Sequence, residues 1–184
     1  ETAAASGRVV VAHASTKEGM RRAILGGVKT IEHGDDADDE IFALMNKYNV
    51  AVCPTLAAVE SIASYRGWKK GIHPDTDRII QKKKSFKSAL DHKVKIIFGG
   101  DVGVFAHGEN VKELFLMNEY GMSTLDCLRS ATSGNAQIFG LSDRGRIQEG
   151  LKADLVAVDG NPLENINLLQ KISWVMLIGK IIRN

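Results

Sequence analysis

His13, His33 and Asp101 are the residues whose types and spacing could do chemistry. Each closes a short, apolar or β-branched run: Arg8 to His13, Val28 to His33, and Val94 to Asp101. Runs of this kind read as strands covered on both faces. In parallel α/β proteins, ligands and reacting groups collect at the C-terminal strand edge. His33 follows His13 by 20 residues, and Asp101 follows His33 by 68. A strand–helix–strand unit takes about 30 residues. The histidines therefore fall on adjacent strands, and Asp101 falls two strands further on. Two imidazoles and a carboxylate suit Zn²⁺, and also Mn²⁺, Fe²⁺ or Co²⁺. A metal there would bring water toward a pKa of about 7 and polarise a carbonyl. A strand-end histidine also serves as a simple hydrogen-bonding residue, and the spacing leaves both roles open.

Positioning these groups needs parallel strands with helical crossovers, and the intervening sequence reads that way. Ser15 or Thr16 caps a helix running to about Leu25, closed by Gly26-Gly27. The acidic stretch from Asp35 to Glu40 leads into a helix whose buried face is Ile41, Leu44, Met45 and Tyr48. Val50 to Cys53 is a third strand, stopped by Pro54. Thr55 to Asp75 reads as a long irregular connection. Asp75 to Leu90 is helical, with Ile79, Ile80, Phe86, Ala89 and Leu90 inward. Val94 to Phe98 is the fourth strand. A helix follows from about Glu109 to Tyr120, then another from Thr124 to about Phe139. Strict alternation of this kind means an α/β unit with parallel strands. After Gly140 the pattern becomes β-rich, with strands at Asp154 to Val158, Trp174 to Ile178 and Lys180 to Ile182. The expected division is 1–140 and 141–184.

Composition excludes several classes. The 184 residues are 44% hydrophobic and 25% charged, with a formal net charge of +2. These values suit an ordinary globular protein and ask for no nucleic-acid partner. The longest apolar run, Trp174 to Ile178, is far short of the roughly 20 residues of a membrane span. Two cysteines without a Cys-x-x-Cys pair exclude a disulfide framework and a cysteine zinc site. No signal-peptide pattern opens the chain, so a cytoplasmic location is expected.

The ordered motifs carry more than their spacing. His13-Ala14, Ile31-Glu32-His33-Gly34, Cys53-Pro54-Thr55 and Gly99-Gly100-Asp101 follow one another. Then come Thr132-Ser133-Gly134-Asn135-Ala136, Gly145-Arg146-Ile147, Glu149-Gly150 and Ala153-Asp154-Leu155-Val156. This set resembles the metal-dependent amidohydrolase superfamily, in its imidazolonepropionase-related and Xaa-Pro dipeptidase-like subgroup. The resemblance implies the C-terminal half of a (β/α)8 barrel, strands five to eight, plus the C-terminal part of a small β-sandwich. It implies one or two divalent metals, usually zinc. His13 and His33 match the ligands of strands five and six. Asp101 matches the strand-eight carboxylate that binds metal and acts as general base, with His33 helping to polarise the substrate. The family's H-x-H pair and carboxylated lysine have no counterpart in this sequence. The implied reaction is hydrolysis of a C–N bond in a dipeptide, N-acyl amino acid or cyclic amide. The implied partners are that small substrate and either the N-terminal barrel half or a second copy of the chain.

Three further residues are candidates for substrate contact: His107 after Asp101, and Thr55 and Tyr65 in the connection after the third strand. Arg66 reads as a solvated arginine, His73 and His92 as surface histidines, and Cys53 as a small buried thiol. The Lys82-Lys83-Lys84 run with Lys87 reads as a solvated helix face. Two alternatives stand beside hydrolysis. A deaminase of the same superfamily places a Glu where this chain has Thr16, which argues against it. A non-catalytic, self-associating fragment is the other.

Overall fold

The computed structural model describes residues 2–183. A single turn, α1 (Thr2–Ala5), precedes β1 (Val11–Ala14), α2 (Lys17–Leu25), β2 (Thr30–His33), α3 (Asp39–Tyr48) and β3 (Ala51–Cys53). The three strands pair in order and in parallel. Their register sets Ala12 against Ile31 and Ile31 against Val52, while His13 faces Glu32 and Glu32 faces Cys53. The first row packs on Met20, Ile24, Phe42 and Met45 of α2 and α3. Alternation along each strand leaves the second row on the opposite face. Thr16 caps α2 by accepting from the Gly19 N–H, and Asp38 caps α3 by accepting from the Ile41 N–H. Each such cap contributes about 1 kcal/mol. On α3 the buried residues are Ile41, Phe42 and Met45, with Tyr48 exposed, so the helix is turned from the expected face.

Three further elements differ from the sequence expectation. The fourth strand is reduced to a bridge between Val52 and Ile96, with the Val52 N–H on Lys95 O and the Ile97 N–H on Val52 O, both 2.9 Å. Beyond Ile97 a side chain claims the backbone. Asn135 Nδ2 donates to Phe98 O at 2.9 Å, and its Oδ1 accepts from the Phe98 N–H at 3.2 Å. The connection after β3 is also not irregular throughout, since α4 (Leu56–Tyr65) occupies its first half. Its opening residues, Leu56 to Val59, are buried, and its cap comes from elsewhere in the chain. In α5 (Asp77–Asp91), Ile80 faces solvent and Lys82 lies on the buried stripe with Ile79, Phe86 and Ala89. The lysine run is thus not wholly a solvated face.

The remaining helices are α6 (Lys112–Glu119), α7 (Thr124–Arg129) and α8 (Asn135–Ile138), the last two separated by a π-turn over Ser130–Gly134. The tail forms β4 (Leu155–Val158), β5 (Ile172–Leu177) and β6 (Lys180–Arg183), an antiparallel sheet in that order. Ile166, in the 3₁₀ turn between β4 and β5, is buried in the cluster of Leu114, Leu116 and Met117. That contact ties the tail to the α/β unit. Among the described residues, no helix is long and apolar enough to cross a membrane.

Gly99 marks the tightest approach inside the sheet. A Cβ there would lie 2.6 Å from the Cys53 sulfur, and Cys53 is buried. Gly99→Ala is expected to cost about 1–3 kcal/mol by overpacking. Adding Cys53→Ala removes the clashing sulfur, so the double variant should lose less than the sum of the single losses. Urea unfolding of the three variants measures this coupling.

Candidate active site at the strand ends

Three strand ends share an unusual backbone. His33 (φ 75°), Thr55 (φ 52°) and Asp101 (φ 60°) all lie in the left-handed region without being glycine. Such residues cost about 1–3 kcal/mol each and persist where surrounding contacts over-determine them. His33 ends β2, and Thr55 and Asp101 lie just beyond β3 and the bridged fourth segment, at the edge where the sequence places its chemistry.

The side chains converge in part. The His13 and His33 rings meet edge-to-face with centroids 4.3 Å apart. His33 Nδ1 is 2.7 Å from Thr55 Oγ1. With Nδ1 engaged, Nε2 is the nitrogen left for a ligand, an arrangement typical of metal-binding histidines. Burial lowers the His33 pKa, with His13 and Lys82 adding to the shift and Asp101 opposing it. A neutral imidazole is the form that ligates a metal. Asp101 and His107 are both exposed, His107 in the loop beyond Asp101. Tyr65 does not reach this edge. It ends α4, about 15 Å along the helix from Thr55, and is 75% exposed.

Donor type and the paired imidazoles fit a divalent metal. Among the described residues, no group of three or more His, Cys, Asp or Glu side chains is gathered closely enough to hold one. Asp101 lies close enough to His33 to act on it electrostatically.

Behind the edge stand two buried charged groups, Glu113, which nothing in the sequence marks, and Lys82, which the sequence reads as solvated. Glu113 on α6 is fully buried, and its two oxygens accept from the Leu56 and Ala57 N–H groups at 2.9 and 2.7 Å. It caps α4 in place of Thr55, whose left-handed backbone gives no side-chain cap. In sequence Glu113 looks like any acid in a helix's first turn, so no local signal marks it. Lys82 is 3% exposed, and its ammonium donates to His33 O at 2.5 Å and to Asp35 Oδ1 at 2.6 Å. Here a signal existed, because Lys82 lies three residues after Ile79 and four before Phe86, on the helix's apolar stripe.

Residues 1–182 match the model of the amidohydrolase family. The chain belongs to that family. Its members are generally metal-dependent. The ochratoxinase of Aspergillus niger is 30% identical over 188 residues, covering 98% of this chain and 38% of that protein. The crystal structure of a Xaa-Pro dipeptidase with bound methionine in its active site aligns with a TM-score of 0.90 at 36% identity, over 99% of this chain and 46% of that one. A prolidase complexed with N-methylphosphonate-L-proline aligns at 0.82 and 29% identity, over 99% and 47%. The chain thus spans less than half the length of these family relatives. Its α/β architecture is consistent with part of a TIM-barrel enzyme.

Burial pushes the Glu113 carboxyl from 4.5 up to about 7, against the pull of its two backbone donors. A carboxyl raised on folding favours the folded state below its unfolded pKa, and that contribution is lost as pH rises through about 7. Glu113→Gln cannot titrate. Relative to the wild type, its unfolding free energy should therefore gain up to about 3 kcal/mol across that window. Parallel urea titrations of both proteins at pH values below and above the window check the sign.

Proposed function

We propose that this chain is the C-terminal part of a metal-dependent hydrolase that cleaves a C–N bond. It would supply barrel strands five to eight over residues 1–140 and the C-terminal part of a small β-sandwich over 141–184. The observation that carries the reading is the paired His13 and His33 imidazoles, with Thr55 on His33 Nδ1, at strand ends held in left-handed backbone. His13, His33 and Asp101 are the residues that would hold the metal, with zinc the best match to two imidazoles and a carboxylate. When bound, a divalent metal supplies Lewis acidity to the reacting carbonyl.

The chain's own groups do the proton work. Asp101 accepts the proton of the attacking water and returns it to the leaving nitrogen. The exposed Asp101 carboxylate and the loop bearing His107 are open to a substrate. Thr55 orients the His33 ring, and His107 is the remaining candidate for substrate contact. Tyr65 leaves the candidate set because α4 carries it away from the edge.

The likeness to a Xaa-Pro dipeptidase and a prolidase favours a dipeptide with C-terminal proline or a related amino-acid amide as substrate. The open edge of β1 and the exposure of Val9, Val10 and Val11 support a partner that completes the barrel, either the N-terminal half or a second copy of the chain. Exposed edges of this kind invite pairing.

The test uses the full-length protein with Xaa-Pro dipeptides, N-acyl amino acids and cyclic amides. Hydrolysis of one class is expected, together with bound metal by elemental analysis. Asp101→Ala should lower kcat by about 10²–10⁴-fold, the usual contribution of a general base. Full activity in that variant, or metal retained undiminished in a His13→Ala/His33→Ala protein, would defeat the assignment.

A further inference from the structure

The interactions behind His33 form a unit that the hydrolytic reaction does not itself use. Lys82 donates to His33 O at 2.5 Å, and three residues along the same helix Ser85 Oγ donates to Gly34 O at 3.1 Å. Both side chains are buried. Asp35, the next residue of the turn, accepts from Lys82 at 2.6 Å and from Arg78 at 3.1 Å. One face of α5 thus grips the carbonyls of two consecutive residues and the side chain of the third. On the other side, the Gly34 N–H donates to Ala14 O at 3.1 Å, which fastens the same turn to the end of β1. The gripped residues are the ones out of ordinary conformation, with His33 at φ 75° and Gly34 at φ 65°. Thr55 holds the ring from the third direction.

A buried lysine is an expensive way to close a turn. Its charge must be desolvated, and replacing such a pair by apolar residues often leaves stability unchanged or improved. Placement on a strained carbonyl, in a helix whose other buried positions are mostly apolar, points to a role in geometry. We infer that Lys82 and Ser85 are positioning residues: a two-donor clamp from α5 that fixes the His33–Gly34 backbone and thereby aims the His33 imidazole. The consequence is on metal binding more than on folding. Without the clamp, the left-handed turn relaxes, and the ring no longer meets His13 and Thr55 together. The inference rests on the reading of His33 as a metal ligand.

The experiment measures Zn²⁺ affinity of the metal-stripped full-length protein beside its urea unfolding midpoint. Ser85→Ala is the mild variant. It should keep the wild-type midpoint closely while weakening Zn²⁺ binding several-fold. Lys82→Met paired with Asp35→Leu removes the ammonium and its counter-charge together. It should unfold near the wild-type midpoint and bind Zn²⁺ about 10–100-fold more weakly, the range seen when groups that orient metal ligands are lost. Amide exchange at Gly34 should quicken in both variants. Wild-type Zn²⁺ affinity in the double variant, with His33→Ala still impaired, overturns the clamp and leaves the metal reading standing. Wild-type affinity in His33→Ala overturns the metal reading itself, and with it this role for the clamp. A Ser85→Ala protein whose affinity falls only as far as its stability falls assigns the contact to folding alone and also overturns the clamp.

Discussion

A residue with a Cβ held at positive φ on the end of a parallel strand is the constraint around which this structure is arranged. Three strand ends carry it, at His33, Thr55 and Asp101. Left alone, each would relax, since the left-handed region crowds Cβ against the backbone. At the first two, polar contacts sent from the helices hold the backbone. Lys82 and Ser85 reach from α5 to the turn at His33. Glu113 reaches from α6 to the first amides after Thr55. Asn135 reaches from α8 to both polar groups of Phe98, three residues before Asp101. The helix layer is therefore more than an apolar cover for the sheet, because it sets the backbone from which the site's side chains project.

Burying a lysine and a glutamate for this purpose has an electrostatic cost that the structure meets in two ways. Lys82 is depressed by burial and opposed in that by Asp35, whose own carboxyl is held below the usual range once Lys82 and Arg78 outweigh the burial that would raise it. Glu113 has no cation within hydrogen-bond reach among the described residues. It relies on two backbone donors at a helix N-terminus, a favourable place for a carboxylate. Among the described residues, no buried side-chain nitrogen or oxygen is left without a partner. Polar groups that are fully satisfied add rigidity, whereas partly satisfied ones would weaken the core. Rigidity at a strand edge is what a metal- or substrate-orienting site requires.

Much of this was legible before any coordinates. The strand-ending histidines, a cap at Ser15 or Thr16, the acidic stretch that opens α3, the β-rich tail and the family motifs all depend on residues close together in sequence. Local rules of period, capping and turn chemistry suffice for those. Where the structure departs from those local rules, contacts from other parts of the chain or helix phase decide the outcome. Tyr48 and Ile80 fit the apolar stripe by spacing yet face solvent, because apolar side chains flanking the stripe leave the helix's phase ambiguous. The helix α4 carries no local start signal, because its cap, Glu113, lies more than fifty residues away. The fourth strand stops short of its apolar run because Asn135 replaces ladder partners at Phe98.

The amino-acid order by itself determined the α/β alternation, the strand-end placement of His13, His33 and Asp101, and the family to which they belong. Only the tertiary structure decided which of these groups meet, that Tyr65 stands apart, and that Lys82 and Glu113 are interior groups instead of surface charges. The reason is physical. Backbone conformation and capping are short-range, and they are written into neighbouring residues. Desolvation and hydrogen bonding of a side chain depend on whatever distant segment packs against it, and a helix reads the same whether its lysine meets water or a carbonyl.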